Sequence, residues 1–329
     1  MVLVVGLVSC FTRGLSKSID FTGGRNFKVE FSVPVIPEDV ESALATEFST
    51  KATSNEAVNN NVTVQVISVG TDNKTVRVST NYRIEENGQT VDAEIEKVLY
   101  DVFTANNWID KSVTFENFID RDNRVGGSII SSQKVGASIA EDITYGAIWS
   151  VILALIAIFI YILIRFRNVA FSVGSITALA FDTFIIIGIY SLLWGIVPWS
   201  LEIDQTFIGA ILTVIGYSIN DKVVIFDRIR EELKKYPNRE RQRLFNDSLN
   251  ITLSRTINTS VSTLIVLLCI FFLGGESIRS FAFAMILGVI IGTCSSLFIA
   301  APTAYLVLGN KIIDRRAKAQ VTAEEAPKA

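Results

Sequence analysis

The 329-residue sequence contains no histidine. Its absence removes the commonest general base, proton shuttle and metal ligand, so any proton chemistry must rest on carboxylates helped by Arg, Lys or Tyr. Cysteine is scarce as well: Cys10, Cys269 and Cys294 all lie inside apolar runs, with no CxxC pair. Disulfides and zinc are therefore not expected. Charge of one sign is also lacking, because the formal net charge is only -3. Lys and Arg occur in short stretches beside apolar runs, a pattern that builds no nucleic-acid-binding face. There is no nucleophile with a base and no Gly-rich phosphate loop, so neither an enzyme nor a bound cofactor is expected.

What the sequence has in quantity is apolar surface. Half of its residues are hydrophobic and the mean hydropathy is +0.42, too much for an ordinary soluble fold. Crossing ~30 Å of hydrocarbon takes about 20 helical residues. Five stretches approach or exceed that length, roughly Ala147 to Ile164, Val169 to Leu193, Phe207 to Phe226, Thr256 to Leu273 and Phe281 to Leu308. A sixth, Met1 to Phe11, covers only about 16 Å and reads as the stub of a truncated helix, with native sequence expected upstream. It lacks the basic start and the small-residue cleavage site of a signal peptide. Pro302 is expected to bend the final helix. Close approach between helices is expected at Gly209, Ala210, Gly216 and Ser218, and at the Gly288/Gly292 pair.

Cations in short loops are retained on the cytoplasmic side of a membrane. Arg165 and Arg167, the run from Arg228 to Arg243, and the tail from Lys311 to Lys318 alternate with connectors that carry almost none. This pattern predicts a multi-pass membrane protein with both termini cytoplasmic and the long segment from Ser16 to Asp142 outside. Four regions follow: a truncated first span over 1–15, a periplasmic α+β domain over 16–142, a five-helix transmembrane domain over 143–309, and a cytoplasmic tail over 310–329. Within the outer region, Arg25 to Val33 and Thr75 to Asn81 alternate as strands do, Asn61 to Val69 is rich in Val and Ile, and Val113 to Asp120 is a weaker fourth strand. Helices are expected from Pro37 to Phe48 and from Val91 to Ala105. The order is that of a small split βαβ sandwich, a ferredoxin-like α+β domain inserted after the first of six spans of a helical bundle.

An ionisable group at the centre of a membrane helix costs at least ~2.5–3.5 kcal/mol, so each needs a reason. Three fall inside the spans: Asp182, Asp221 and Arg255. Asp221 precedes the boundary residue Asp227 by six positions, about 9 Å of depth, and Arg255 enters the following span from the same side. An ion pair between them is expected, within a polar seam of Ser218, Asn220, Asn258 and Thr259. Asp221 would exchange a proton while Arg255 shifts between pairing and release; a static pair fixing helix register is the bland alternative. Asp182 is either a second proton station or a carboxyl held neutral by interhelical hydrogen bonds. Lys222, one residue beyond Asp221, is expected to snorkel to the headgroups. Glu202 and Asp204 are expected at the outer interface.

Several motifs, in order and covering nearly the whole chain, carry a resemblance. Asp20, Phe21, Thr22, Gly23 and Gly24 resemble the Asp-Phe-Thr-Gly-Gly signature of the SecF family. IGYSINDKVVIFDRIR from Ile215 and TLSRTINTS from Thr252 resemble that family's fourth and fifth spans, and Val135-Gly136 and FFLGGESIRSF from Phe271 also match. The resemblance is to SecF chains or the SecF half of fused SecDF, related to the resistance-nodulation-division superfamily. It implies an accessory subunit of the Sec translocon that, with SecD separate or fused upstream, a SecY-type channel and the translocating polypeptide, uses protons as coupling ion. It assigns the proton pathway to Asp221 and Arg255. Two departures stand out. Phe181-Asp182 replaces the usual His-Asp, weakening a proton role for Asp182, and Lys222 stands where Thr often follows, altering the field at Asp221. A proton-driven small-molecule or lipid exporter, and a translocon scaffold without energy coupling, are the alternatives.

Overall fold

The computed structural model describes residues 2–12, 14–54, 62–69, 74–84, 89–122, 127–197, 199, 201–237, 239–274 and 276–308. The expected cytoplasmic tail lies outside the described residues. A short helix α1 (Val2–Thr12) leads to a single turn α2 (Ile19–Thr22) and then to strand β1 (Gly24–Phe31). Helix α3 (Pro37–Ser54), strands β2 (Val64–Ser68) and β3 (Thr75–Thr80), helix α4 (Gln89–Ala105), the short α5 (Phe115–Ile119) and strand β4 (Gly127–Val135) complete the first part. Five long helices follow: α6 (Ala137–Phe166), α7 (Val169–Leu193), α8 (Gln205–Lys235), α9 (Arg241–Leu273) and α10 (Glu276–Ser295).

The sheet runs β2-β3-β1-β4 with every neighbour antiparallel. β1 and β2 thus run parallel to each other with β3 between them, the split order. Alternation puts Phe27, Val29 and Phe31 of β1 on one face with Val76 and Val78 of β3. Against that face α3 lays Leu44 and Phe48, and α4 lays Ile95, Leu99 and Phe103.

The expected fourth strand at Val113 to Asp120 is corrected. Thr114 accepts a hydrogen bond from Asn117 N at 3.4 Å and caps a helical turn that buries Phe118. The fourth strand is β4, whose first three residues are buried and whose remainder mostly faces outward. A run of Ser131, Ser132, Gln133 and Lys134 conceals the period of two that marks a half-buried strand.

Among the described residues five helices are long and apolar enough to cross a membrane; α1, with 11 residues, is not one of them. It packs on α7 all the same: a Cβ on Gly6 would stand 2.9 Å from Gly188 Cα, and Ser9 and Ser191 are hydrogen-bonded at 3.0 Å. α7, α8 and α10 form the buried centre, whereas α6 and α9 turn most residues outward. Gly288 and Gly292 bring α10 against α8, where a Cβ would fall 2.1 Å from Val214 Cγ2 and 2.7 Å from Ser218 Oγ. Gly209 and Gly216 face open space, so the close approach is made by the glycines of α10 and not by those of α8. The final helix loosens into a π-type turn at Ser296–Ala300. Pro302 follows, and its ring removes the N–H that would reach the carbonyl of Phe298.

The two parts are joined by the segment that carries the Gly-Gly motif. Ser18 caps α2, Gly23 adopts a left-handed φ of 68° against the start of α6, and Gly24 approaches the Thr80 carbonyl so closely that a Cβ would sit 2.6 Å from it. Asp20 Oδ2 accepts a hydrogen bond from Gln205 N at 3.2 Å, at the first turn of α8, where a carboxylate is favoured. Arg77 of β3 donates to Glu202 at 2.9 Å, and Lys17 bridges Ile203 in parallel.

Candidate functional site

α8 carries the site. Asp204 caps its start by accepting from Phe207 N at 2.8 Å, and Lys234 and Lys235 end it where cations suit the dipole. Ser218, Asp221, Lys222 and Ile225 fall three or four residues apart and are all buried, so one stripe of the helix faces inward.

Asp182 of α7 is completely buried and so is Lys222. Lys222 Nζ lies 3.2 Å from Asp182 Oδ2 and 2.5 Å from Ser218 Oγ, with Ser218 Oγ donating to the same carboxylate oxygen at 2.8 Å. Ser295 Oγ of α10 stands 3.4 Å from Nζ. Snorkelling of Lys222 to the headgroups is therefore corrected. Helical side chains lean toward the N-terminus of their helix, which for α8 is the end beneath the sheet domain. The lysine stem consequently runs one turn back to Ser218, away from the cation-rich end.

Asp221 is 4% exposed, and its Oδ2 is buried without a protein hydrogen-bond partner. Arg255 of α9 is exposed. Among the described residues no ion pair joins the two, although Arg255 and Lys222 both act on Asp221 through space. The expected contact pair is thus open. Arg255 instead lines a cavity of ≈ 670 Å³ between α8 and α9, together with Asp227, Glu231 and Thr252.

The expected polar seam divides in the same way. Ser218 faces α7 and α10, while Asn220, Asn258 and Thr259 are exposed. The α8–α9 contact is made by Tyr217, whose hydroxyl reaches Thr259 O at 3.3 Å and Thr263 Oγ1 at 3.1 Å. Asn220 is turned some 200° from Ser218 on the helix, too far to share its face. At the cation-rich end Arg165 of α6 pairs with Asp227 at 2.9 Å.

Lys222 and Ser295 are the members of the cluster that sequence reasoning did not place there. The available signal was the four-residue spacing of Ser218 and Lys222, together with a buried Asp182 that needed a cation. Of the two outer acids expected at the interface, Asp204 caps α8, whereas Glu202 is buried against Arg77.

Comparison with known proteins agrees with this architecture. The family described as protein export membrane protein SecD/SecF, C-terminal, matches residues 119–310, and the SecD/SecF GG motif matches residues 8–35. Protein translocase subunit SecF of Rhodothermus marinus is 38% identical over 97% of this chain and 89% of its own length. The same-named protein of Haemophilus influenzae is 33% identical over 93% of this chain and 81% of its own. The crystal structure of SecDF from Thermus thermophilus superposes with a TM-score of 0.71 at 28% identity. It covers 94% of this chain, which spans 36% of the SecDF polypeptide. With a sheet domain tied by its Gly-Gly segment to five apolar helices, and with that match over nearly its full length, the chain is a multi-pass membrane protein belonging to the SecF family.

Proposed function

We propose that the chain is an accessory subunit of the Sec translocon that works with SecD, separate or fused, and uses the proton-motive force to assist polypeptide export through a SecY-type channel. In this reading the membrane is the bacterial cytoplasmic membrane. The cation-bearing ends of α6, α8 and α9 face the cytoplasm, the sheet domain is a ferredoxin-like periplasmic module, and α1 belongs to the first of six spans. The cation distribution supports that orientation.

One observation carries the coupling. Of the acids buried on α7 and α8, Asp182 is paired with Lys222 and Glu232 with Arg228, whereas among the described residues Asp221 has no contact ion pair and a buried oxygen without a hydrogen-bond partner. Asp221 is therefore the acid whose proton occupancy can change without breaking a contact pair. Arg255, which lines the cavity between α8 and α9 and acts on Asp221 through space, would approach when Asp221 is ionised and withdraw when it is neutral. Such a shift moves α9 against α8.

The test is Asp221→Asn in cells and in inverted vesicles. The expected result is loss of gradient-stimulated export, with folding and association with SecD retained. Full gradient dependence in that variant overturns the proposal. A second reading, a lipid or small-molecule exporter on the same core, is favoured by an apolar cavity of ≈ 540 Å³ between α6, α7 and α8 that includes Leu155, Phe184 and Phe207. Substrate movement in a direct transport assay, without any effect on export, distinguishes it.

A further inference from the structure

Every hydrogen-bond partner of Lys222 Nζ among the described residues is an oxygen. Its neighbours are Asp182 Oδ2 at 3.2 Å, Ser218 Oγ at 2.5 Å, Ser218 O at 3.5 Å and Ser295 Oγ at 3.4 Å, contributed by three different helices. Lys222, Asp182 and Ser218 are at most 1% exposed and Ser295 is 2% exposed, so the shell is closed. Asp182 Oδ1 is a further buried oxygen with no protein partner at the same place. One carboxylate with hydroxyl and carbonyl oxygens is the donor set of a hard cation of low charge. An ammonium on a flexible stem is a compact point charge that fits such a shell.

We infer that this shell is a monovalent-cation site whose permanent occupant is the lysine ammonium, and that Lys222 is the residue that keeps alkali cations out of the bundle. The site carries one negative charge and its tethered cation carries one positive charge. Shortening the lysine leaves the oxygens and the charge of Asp182 in place and opens room for a small ion. A metal ion entering the native protein would have to displace the ammonium into hydrocarbon, which is strongly unfavourable. The consequence for coupling, that sodium gradients are ignored and exchange is confined to Asp221, rests on the proton-coupling reading; the occupancy of the shell does not.

The experiment is thermal unfolding of the purified full chain in sodium, potassium or N-methylglucamine chloride at equal ionic strength. Expected are a native melting temperature indifferent to the cation, and a K222A protein less stable in N-methylglucamine that recovers saturably with sodium by roughly 5 °C. Loss of that response in K222A/D182N completes the expected pattern. K222S, which keeps an oxygen at the position, serves as a second variant should K222A not fold. Indifference of the folded variants to every cation, saturable sodium binding by the native chain, or failure of both variants to fold at any sodium concentration overturns the inference. None of these outcomes touches the export assay of Asp221→Asn, so the two readings fail separately.

Discussion

At the scale of single residues, the decisive fact is that two neighbours on α8 meet different fates. Lys222 is buried in contact with Asp182, and Asp221 is buried without a contact partner. Removing one member of a buried ion pair leaves an uncompensated charge, which costs about 3–5 kcal/mol, whereas replacing both by apolar groups of similar volume is often neutral. Lys222→Met alone and Asp182→Leu alone are each expected to destabilise the protein by that order, and the double variant to recover most of the loss. A double-mutant cycle on unfolding measures the coupling, and additive losses would refute it. The presence of ionisable groups at 182, 221 and 255 was legible in the sequence because each interrupts an apolar run. Their partners were not, because pairing depends on the direction in which a side chain leans along its helix, and on how α7 and α10 are rotated against α8. The four-residue spacing of Ser218 and Lys222 hints at the first, but no spacing within one helix encodes the second.

At the scale of elements, glycines decide how near the helices come. A methyl group at 288 would meet Val214 at 2.1 Å, whereas one at 216 meets nothing within 4 Å. Gly288→Ala is therefore expected to cost about 1–3 kcal/mol through overpacking. Gly216→Ala should be neutral or slightly stabilising, because alanine is the better helix former. Melting temperatures of the two variants, side by side, check the contrast. Long periodic elements were easily read: α3, α4 and all five long helices announce themselves by apolar run or by a repeated face. β4 was hidden because its outward half is serine, glutamine and lysine, and α5 imitated a strand because Val113, Phe115 and Phe118 are too few to reveal a period. The capping hydroxyl of Thr114 resolves that ambiguity only once its bond to Asn117 is seen.

At the scale of the whole molecule, the sheet domain and the bundle share a charged joint. Burial pushes the Glu202 carboxyl above its ordinary range; Arg77 opposes this, while Asp204 and Asp20 add to the push. A carboxyl whose folded pKa lies above its unfolded one binds more protons when folded. Its contribution is fully present below the unfolded pKa and is lost as pH rises through the folded one. Stability should therefore decline with rising pH across the window just above the ordinary carboxylate range, and Glu202→Gln should flatten that slope. Melting temperature against pH for the two proteins tests this, and parallel curves would contradict it. The joint itself was only half legible. The Gly-Gly segment was visible as a motif, but its work in seating Gly24 against Thr80 and Asp20 on the first amide of α8 depends on contacts between distant parts of the chain.

α8 runs unbroken from Gln205, beneath the sheet domain, to Lys235. Sixteen residues separate Asp221 from its upper end, roughly 24 Å at the rise of an α-helix. A stiff rod of that length has leverage: a tilt of about five degrees pivoting near the buried acid sweeps the upper end sideways by roughly 2 Å. Because Asp20 grips that end and Arg77 holds the loop just above it, the sweep is delivered to the sheet domain.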